Sequence, residues 1–206
     1  MNKSALKMIP LVVALAAVVA PAQAFEAGDV LVKVGVHAVD PKSGNGNLAG
    51  GAFAAEVDSN VKPSLQVEYF LSPNIGVELL ASAPFSHKVE LNGAKAASFN
   101  HLPPTLSLQY HFGDQRIKPF IGAGINWVWT FDEKSTGPLA GTEVGIGNSW
   151  GVAFHGGIDY ELNNGWYVGA DLRWIDVDAN VSVNGAQVGN VHVDPLTYGA
   201  YIGWKF

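Results

Sequence analysis

The chain has 206 residues, no cysteine, and 18 acidic residues against 12 basic ones. Lack of cysteine excludes a disulfide framework, a zinc thiolate site and a thiol nucleophile, and the acidic balance argues against nucleic acid as a partner. Only 15% of residues are charged while 24 are glycine, 6 tryptophan and 6 tyrosine, a composition that suits alternating strands with small residues on one face and aromatics on the other.

Lys3 and Lys7 precede an apolar run from Met8 to Ala20, and Ala22-Gln23-Ala24 has the form of an A-x-A cleavage site. This predicts a secretory signal peptide over residues 1–24, removed to leave one domain over 25–206. Loss of Lys3 and Lys7 leaves 10 basic residues against 18 acidic ones, a net charge of −8. No later apolar run reaches the roughly 20 residues of a transmembrane helix.

The chain then alternates with period two. Residues 30–39 set Val30, Val32, Val34 and Val36 against Lys33, Gly35 and His37. Residues 64–71 set Leu65, Val67 and Tyr69 against Gln66 and Glu68, and 75–83 set Ile75, Val77, Leu79 and Ala81 against Gly76, Glu78, Leu80 and Ser82. In 105–112, Leu106, Leu108, Tyr110 and Phe112 oppose Thr105, Ser107, Gln109 and His111. In 119–129, Ile121, Ala123, Ile125, Trp127 and Trp129 oppose Gly122, Gly124 and Asn126. Residues 150–162 set Val152, Phe154, Ile158, Tyr160 and Leu162 against His155, Asp159 and Glu161. Residues 166–174 set Trp166, Val168, Ala170, Leu172 and Trp174 against Gly169, Asp171 and Arg173. The terminal stretch sets Tyr198, Ala200, Ile202, Trp204 and Phe206 against Thr197, Gly199, Tyr201, Gly203 and Lys205.

Eight strands result. Short turns at Ser72-Pro73-Asn74, Gly113-Asp114 and Asn163-Asn164-Gly165 alternate with long, polar, glycine-rich links near 40–63, 85–103, 130–148 and 176–193. Strict alternation puts every tight turn at one end and every long link at the other. The predicted fold is therefore all-β: an eight-stranded antiparallel transmembrane β-barrel with short periplasmic turns and long extracellular loops. A lipocalin-like soluble barrel has the opposite polarity, apolar inside and polar outside. Here the charges share one face, and a basic residue on a lipid-facing midplane costs about 2–4 kcal/mol. Trp127, Trp129, Trp166, Trp174, Trp204 and Phe206 are read as anchors at the membrane interfaces, with Phe206 on the periplasmic side beside Trp204 and Trp166.

An eight-stranded barrel leaves room for side chains or one small ligand. The inward Lys33, Glu68, Glu78, Asp159, Glu161, Asp171, Arg173 and Lys205 form either a path for ions or a mutually paired network that plugs the lower barrel; burial favours pairing. Leu80 is the bulky apolar exception among the inward residues, either lumen filling or a hydrophobic constriction. The histidines His37, His87, His101, His111, His155 and His192 lack a metal-ligand spacing, so no metal is assigned. Ser86 with His87, or Ser98 with His101, could be imagined as nucleophile and base, but neither has an orienting group or oxyanion donors in view. The chain is not read as an enzyme, and no cofactor is implied.

The stretches "AGDVLVKVG" (27–35), "SPNIGVELLASAPFSHKV" (72–89), "HLPPTLSLQYHFGD" (101–114), "KPFIGAGINW" (118–127), "NSWG" (148–151), "WIDVDA" (174–179) and the terminal "GWKF" resemble, in order, the outer-membrane protein W (OmpW) family. The resemblance implies a bacterial outer-membrane barrel with a narrow, largely apolar interior, associated with small hydrophobic molecules and including an alkane-uptake protein. It places Leu80 at the family's apolar gate and Arg173 at the opposing position, which is sometimes aromatic in the family. Links 40–63 and 130–148 depart from the family in detail. The expected partners are outer-membrane lipid and small hydrophobic molecules; oligomeric state has no signal. The expected function is passive uptake of small hydrophobic molecules through an apolar pocket and narrow lumen. The alternative is a structural or surface-recognition barrel whose extracellular loops bind partners.

Overall fold

A computed structural model describes residues 24–113, 116–163 and 165–206. The predicted signal peptide lies outside the described residues apart from Ala24, as do Asp114 and Asn164 of two predicted turns. The strands are β1 (Val30–Asp40), β2 (Gly46–Leu48), β3 (Phe53–Val57), β4 (Asn60–Ser72), β5 (Ile75–Ser82), β6 (Phe85–Leu91), β7 (Ala94–Leu102) and β8 (Thr105–His111). They continue with β9 (Ile117–Ser135), β10 (Val144–Ile146), β11 (Ser149–Glu161), β12 (Trp166–Ile175), β13 (Asp178–Val183), β14 (Ala186–His192) and β15 (Leu196–Lys205).

Eight of these strands close a ring. Going round, β1, β4, β5, β8, β9, β11, β12 and β15 pair antiparallel, each with the next, and β15 returns to β1. Closure gives every strand of the ring two neighbours, which lipid favours because it offers the backbone no hydrogen bonds. Parity places the side chains as the alternation predicts. Val34, Leu79, Leu108, Ile121, Phe154 and Ile202 point outward and are 47–57% exposed, while Lys33, Glu68, Asp159 and Arg173 point inward and are 0% exposed. This is the polarity of a barrel in lipid.

Aromatic side chains mark the two interfaces. Near the short-turn end, Trp166 and Trp204 stand in register across β12 and β15 with ring centroids 4.8 Å apart, and Phe206 follows at 6.4 Å. Toward the other end Trp127 stacks with Trp129 and, across the ladder, with Trp150, while Trp174 lies 6.2 Å from Phe154. Trp150 completes this girdle, although the alternation at 150–162 had suggested no anchor there.

The long links differ from the sequence expectation. They are built largely of strands, and they form a collar above the barrel. β9 has 19 residues, about twice the 9–11 that cross a bilayer, and its upper part pairs with β7. Then β7 pairs with β6, β6 with β3 and β3 with β2, while β10, β13 and β14 make a separate sheet. Two of the collar hairpins turn at Asn92-Gly93 and Asn184-Gly185, all four with positive φ. That is the backbone of a type I′ turn, which Asn-Gly adopts readily.

The wall has one break. β5 and β8 pair as far as Leu80 and Thr105, and pairing resumes only at Phe85 and His101, between β6 and β7. Among the intervening residues Pro84, Pro103 and Pro104 have no backbone N–H to donate. The Ala83 N–H is turned instead to the Pro63 carbonyl at 3.0 Å.

Candidate functional site

Two layers fill the axis of the molecule: a charged one inside the barrel and an apolar one inside the collar. In the barrel, Lys33 Nζ lies 3.1 Å from Glu68, 3.5 Å from Asp159 and 3.6 Å from Glu78. The rings of Phe120 and Tyr201 flank the ammonium, each centroid at 5.1 Å. Arg173 Nη2 donates to Glu78 at 2.8 Å and to Asp171 at 3.3 Å. His37 bridges Asp171 and Ser64, His111 contacts Glu68 at 2.6 Å, and the Tyr201 hydroxyl donates to Asp159 at 2.9 Å. Glycine makes the space for this crowding: a Cβ on Gly199 would stand 1.8 Å from an Asp171 oxygen.

Of the sequence-predicted network, Lys33, Glu68, Glu78, Asp159, Asp171 and Arg173 therefore meet. Two members lie apart. Glu161 pairs with Lys118 at 3.6 Å near the short-turn end, and Lys205 pairs with Asp29 at 3.0 Å on the rim, because each ends its strand below the central layer. Phe25 stands outside every alternating run, yet its ring stacks on Phe70 at 4.0 Å within a buried group of Phe25, Leu31, Phe70 and Tyr167. The Phe25 ring also lies 5.2 Å from His111 of the charged layer and 5.1 Å from the Lys118 ammonium. Glu68, His111 and Asp159 present ligand atoms within 4.8 Å of one another, but the Lys33 ammonium already supplies the positive charge beside two of them.

Leu80 points inward and is 7% exposed. It is in register with Gln66 and Thr105, and Thr105 is in turn in register with Asn126. Arg173 is in register with Thr197. Asn126 and Thr197 line the lower end of the apolar cavity, so the ladder sets Leu80 and Arg173 level with that end, and neither is among its lining residues.

The cavity occupies about 930 Å³ between atoms, its open mouth included. Its walls come from every long link and from the upper ends of barrel strands, with Leu48, Leu91, Phe99, Val128, Val181 and Val191 prominent. The walls hold together by burying Leu48, Ala55, Leu91, Ala96, Val181 and Val191 in one cluster and Val128, Ala153, Ile175 and Val177 in another. His87 and His101 stack at 5.0 Å between Phe85 and Phe99. Both rings lie above Trp129, outside the membrane, and burial lowers both pKa values, that of His101 to about 3. Both are thus neutral at ordinary pH. Neither imagined catalytic pair forms: Ser86 is exposed and bonds to Asn100, on the strand face opposite His87, and Ser98 lies an odd number of residues from His101. Pro103 both lines the cavity and borders the wall break, so the two are adjacent.

Reversed polarity, closure, two aromatic girdles and a strand-built collar define an outer-membrane β-barrel with a filled lumen and an apolar extracellular cavity. Residues 26–206 match the OmpW family. The chain belongs to that family. It is 37% identical over 195 residues to outer membrane protein W of Escherichia coli K12, covering 89% of this chain and 91% of the relative. It is 30% identical over 155 residues to outer membrane protein AlkL of Ectopseudomonas oleovorans, covering 70% and 65%. The crystal structure of OprG from Pseudomonas aeruginosa superposes with a TM-score of 0.80 at 32% identity, covering 90% of this chain and 99% of that one.

Proposed function

We propose that the collar cavity takes up small hydrophobic molecules at the cell surface and releases them sideways, through the break between β5 and β8, into the outer membrane. The carrying observation is the adjacency of an apolar cavity, a charged stopper beneath it and a proline-interrupted wall beside it. Burial of apolar surface, at about 25 cal/mol per Å², draws a hydrocarbon into such a cavity. Moving on down the axis would force it past paired charges whose separation is costly. Opening the break sacrifices few hydrogen bonds, because three of the bordering residues have no N–H to offer. In this reading Leu80 and Arg173 act as the stopper that turns the ligand toward the wall. The family's association with small hydrophobic molecules supports the same reading.

The test is uptake of radiolabelled octane by cells with and without the protein, then by cells carrying Ala83→Cys with Leu102→Cys. The native chain has no cysteine, so a short thiol cross-linker can join these two positions alone. Uptake should rise with the native protein, fall to background on cross-linking and return when a cleavable linker is cut. Equal uptake with and without the protein would favour the surface-recognition role instead.

A further inference from the structure

Three side chains of the lumen stand in contact without joining the ion pairs of Lys33. Ser64 Oγ lies 2.7 Å from His37 Nδ1, and His37 Nε2 lies 3.0 Å from Asp171 Oδ1. They come from three strands, His37 from β1, Ser64 from β4 and Asp171 from β12, and are 3%, 5% and 7% exposed. Gly199 leaves room for the second contact: a Cβ there would stand 2.3 Å from His37 Nε2 and 1.8 Å from Asp171 Oδ1.

The proton positions follow from the partners. Asp171, held through its other oxygen by the Arg173 guanidinium at 3.3 Å, is a carboxylate and only accepts. His37 Nε2 therefore carries the hydrogen of that bond; Gln66 Nε2, at 3.4 Å, is its more distant neighbour. In a neutral imidazole the lone pair then falls on Nδ1, and the Ser64 hydroxyl donates to it. Nucleophile, base and orienting carboxylate are thus in hydrogen-bond contact, the relation that activates a serine. The pairs Ser86 with His87 and Ser98 with His101 lack it.

Ser64 also borders an opening. With Pro63, Leu65, Ala81, Ser82 and Ala83 it lines a notch of about 510 Å³ between atoms, its open side included. The notch stands at the wall break, because Ser64 is in register with Ser82 and the next inward pair below is Gln66 with Leu80, where the pairing of β5 with β8 ends. Ser82 faces the same way as Ser64 directly across the ladder, with Cβ atoms about 5 Å apart in such a pair. Its hydroxyl has no hydrogen bond in the protein.

We propose that Ser64 is an activated nucleophile and that the barrel cleaves carboxylic esters of hydrocarbon acyl chains entering at the wall break. Ser64 Oγ attacks the ester carbonyl carbon while His37 Nδ1 takes its proton, and the Ser82 hydroxyl donates to the developing oxyanion. The bond to the alcohol oxygen breaks, the alcohol leaves with the proton from His37, and the acyl group stays on Ser64. Water then adds to the acyl carbon with His37 as base, releasing the carboxylic acid and restoring the Ser64 hydroxyl. One ester and one water give one acid and one alcohol. The hydrocarbon chain suits Leu65, which is exposed on the lipid side of the notch. This activity goes beyond uptake, in which no bond is broken, and does not rest on it.

The test offers p-nitrophenyl octanoate and dioctanoyl phosphatidylcholine separately to the full chain in octyl glucoside micelles, a detergent with no ester of its own. At least one ester should be cleaved faster than in empty micelles; the first alone marks a collected compound as the source, and the second marks membrane lipid. Ser64→Ala and His37→Gln should each slow cleavage about a hundredfold or more, with heat-shifted gel mobility unchanged. Asp171 is a positioning residue that acts through His37, so Asp171→Asn should lower kcat and leave KM nearly unchanged. After treatment of the native protein with a fluorophosphonate, mass spectrometry should find the phosphonyl group on Ser64. If neither ester is cleaved faster than in empty micelles, or if cleavage survives Ser64→Ala, the three side chains only brace the lumen and the inference is overturned.

Discussion

Replacing Lys33 by methionine would remove the one ammonium on which three buried carboxylates converge. Methionine is unbranched and only one heavy atom shorter, so it keeps most of the packing between Phe120 and Tyr201 and the change is chiefly one of charge. Glu68, Asp159 and Glu78 lie 3.1, 3.5 and 3.6 Å from Nζ, and none is more than 1% exposed. Breaking a buried ion pair by deleting one partner costs about 3–5 kcal/mol. With a denaturant slope of about 2 kcal/mol per molar urea, the unfolding midpoint should fall by about 2 M. Tryptophan fluorescence of the micelle-bound protein measures it. The triple variant Lys33→Met, Glu68→Gln, Asp159→Asn should recover most of the loss, because it neutralises two of the three carboxylates while Glu78 keeps its pairing with Arg173 at 2.8 Å. A midpoint for Lys33→Met unchanged from the native one would refute the picture of a charge-paired lumen.

Leu80→Asp should reduce octane uptake and raise planar-bilayer conductance if Leu80 belongs to the stopper, whereas Leu79→Asp, on the lipid face, should impair insertion; normal uptake and conductance in Leu80→Asp would reduce Leu80 to packing. Epitopes placed in the hairpin turns at Gly93 or Gly185 should be labelled on intact cells, and one replacing Asn163 should not; the reverse pattern would invert the topology. The His101 ring has a pKa lowered to about 3 from 6.5, so the folded state favours its neutral form. Its contribution to stability is complete above pH 6.5 and is lost progressively as pH falls toward 3. His101→Phe keeps the stack on Phe85 and removes the proton site. Thermal unfolding of the variant should therefore be less pH-dependent between 6.5 and 4.5, and equal slopes would contradict the burial argument.

The barrel was legible because lipid imposes a simple rule on strands. Val34 and Lys33, Leu79 and Glu78, Leu172 and Arg173 are neighbours in sequence that must face opposite ways, and each such pair fixes the register of its strand. The collar was less legible for a physical reason. Its strands face water on one side and a cavity on the other, so Ala97, Phe99 and His101 alternate with Ser98 and Asn100 in a pattern without the charge contrast of the barrel. A local signal existed nonetheless: "LNGA" at 91–94 and "VNGA" at 183–186 are hairpin turns between alternating runs. The cavity itself depends on which hairpins meet, with β2 near β14 and β10 against β13, and no local pattern encodes such distant pairings. Phe25 escaped notice because it precedes the first strand and belongs to no alternating run.

A water-filled pore adds a leak with every copy placed in the membrane, so its abundance is bounded by how much loss of ions and entry of toxic solutes the cell can withstand. On the reading that the interlocked charges and the Phe25 group beneath them stop the barrel, no such bound applies. If the collar collects a compound as proposed, the protein's numbers can rise with scarcity of that compound while the permeability barrier to antibiotics and salts stays as it was. On that reading a cell can enrich its surface in this barrel without loosening its envelope.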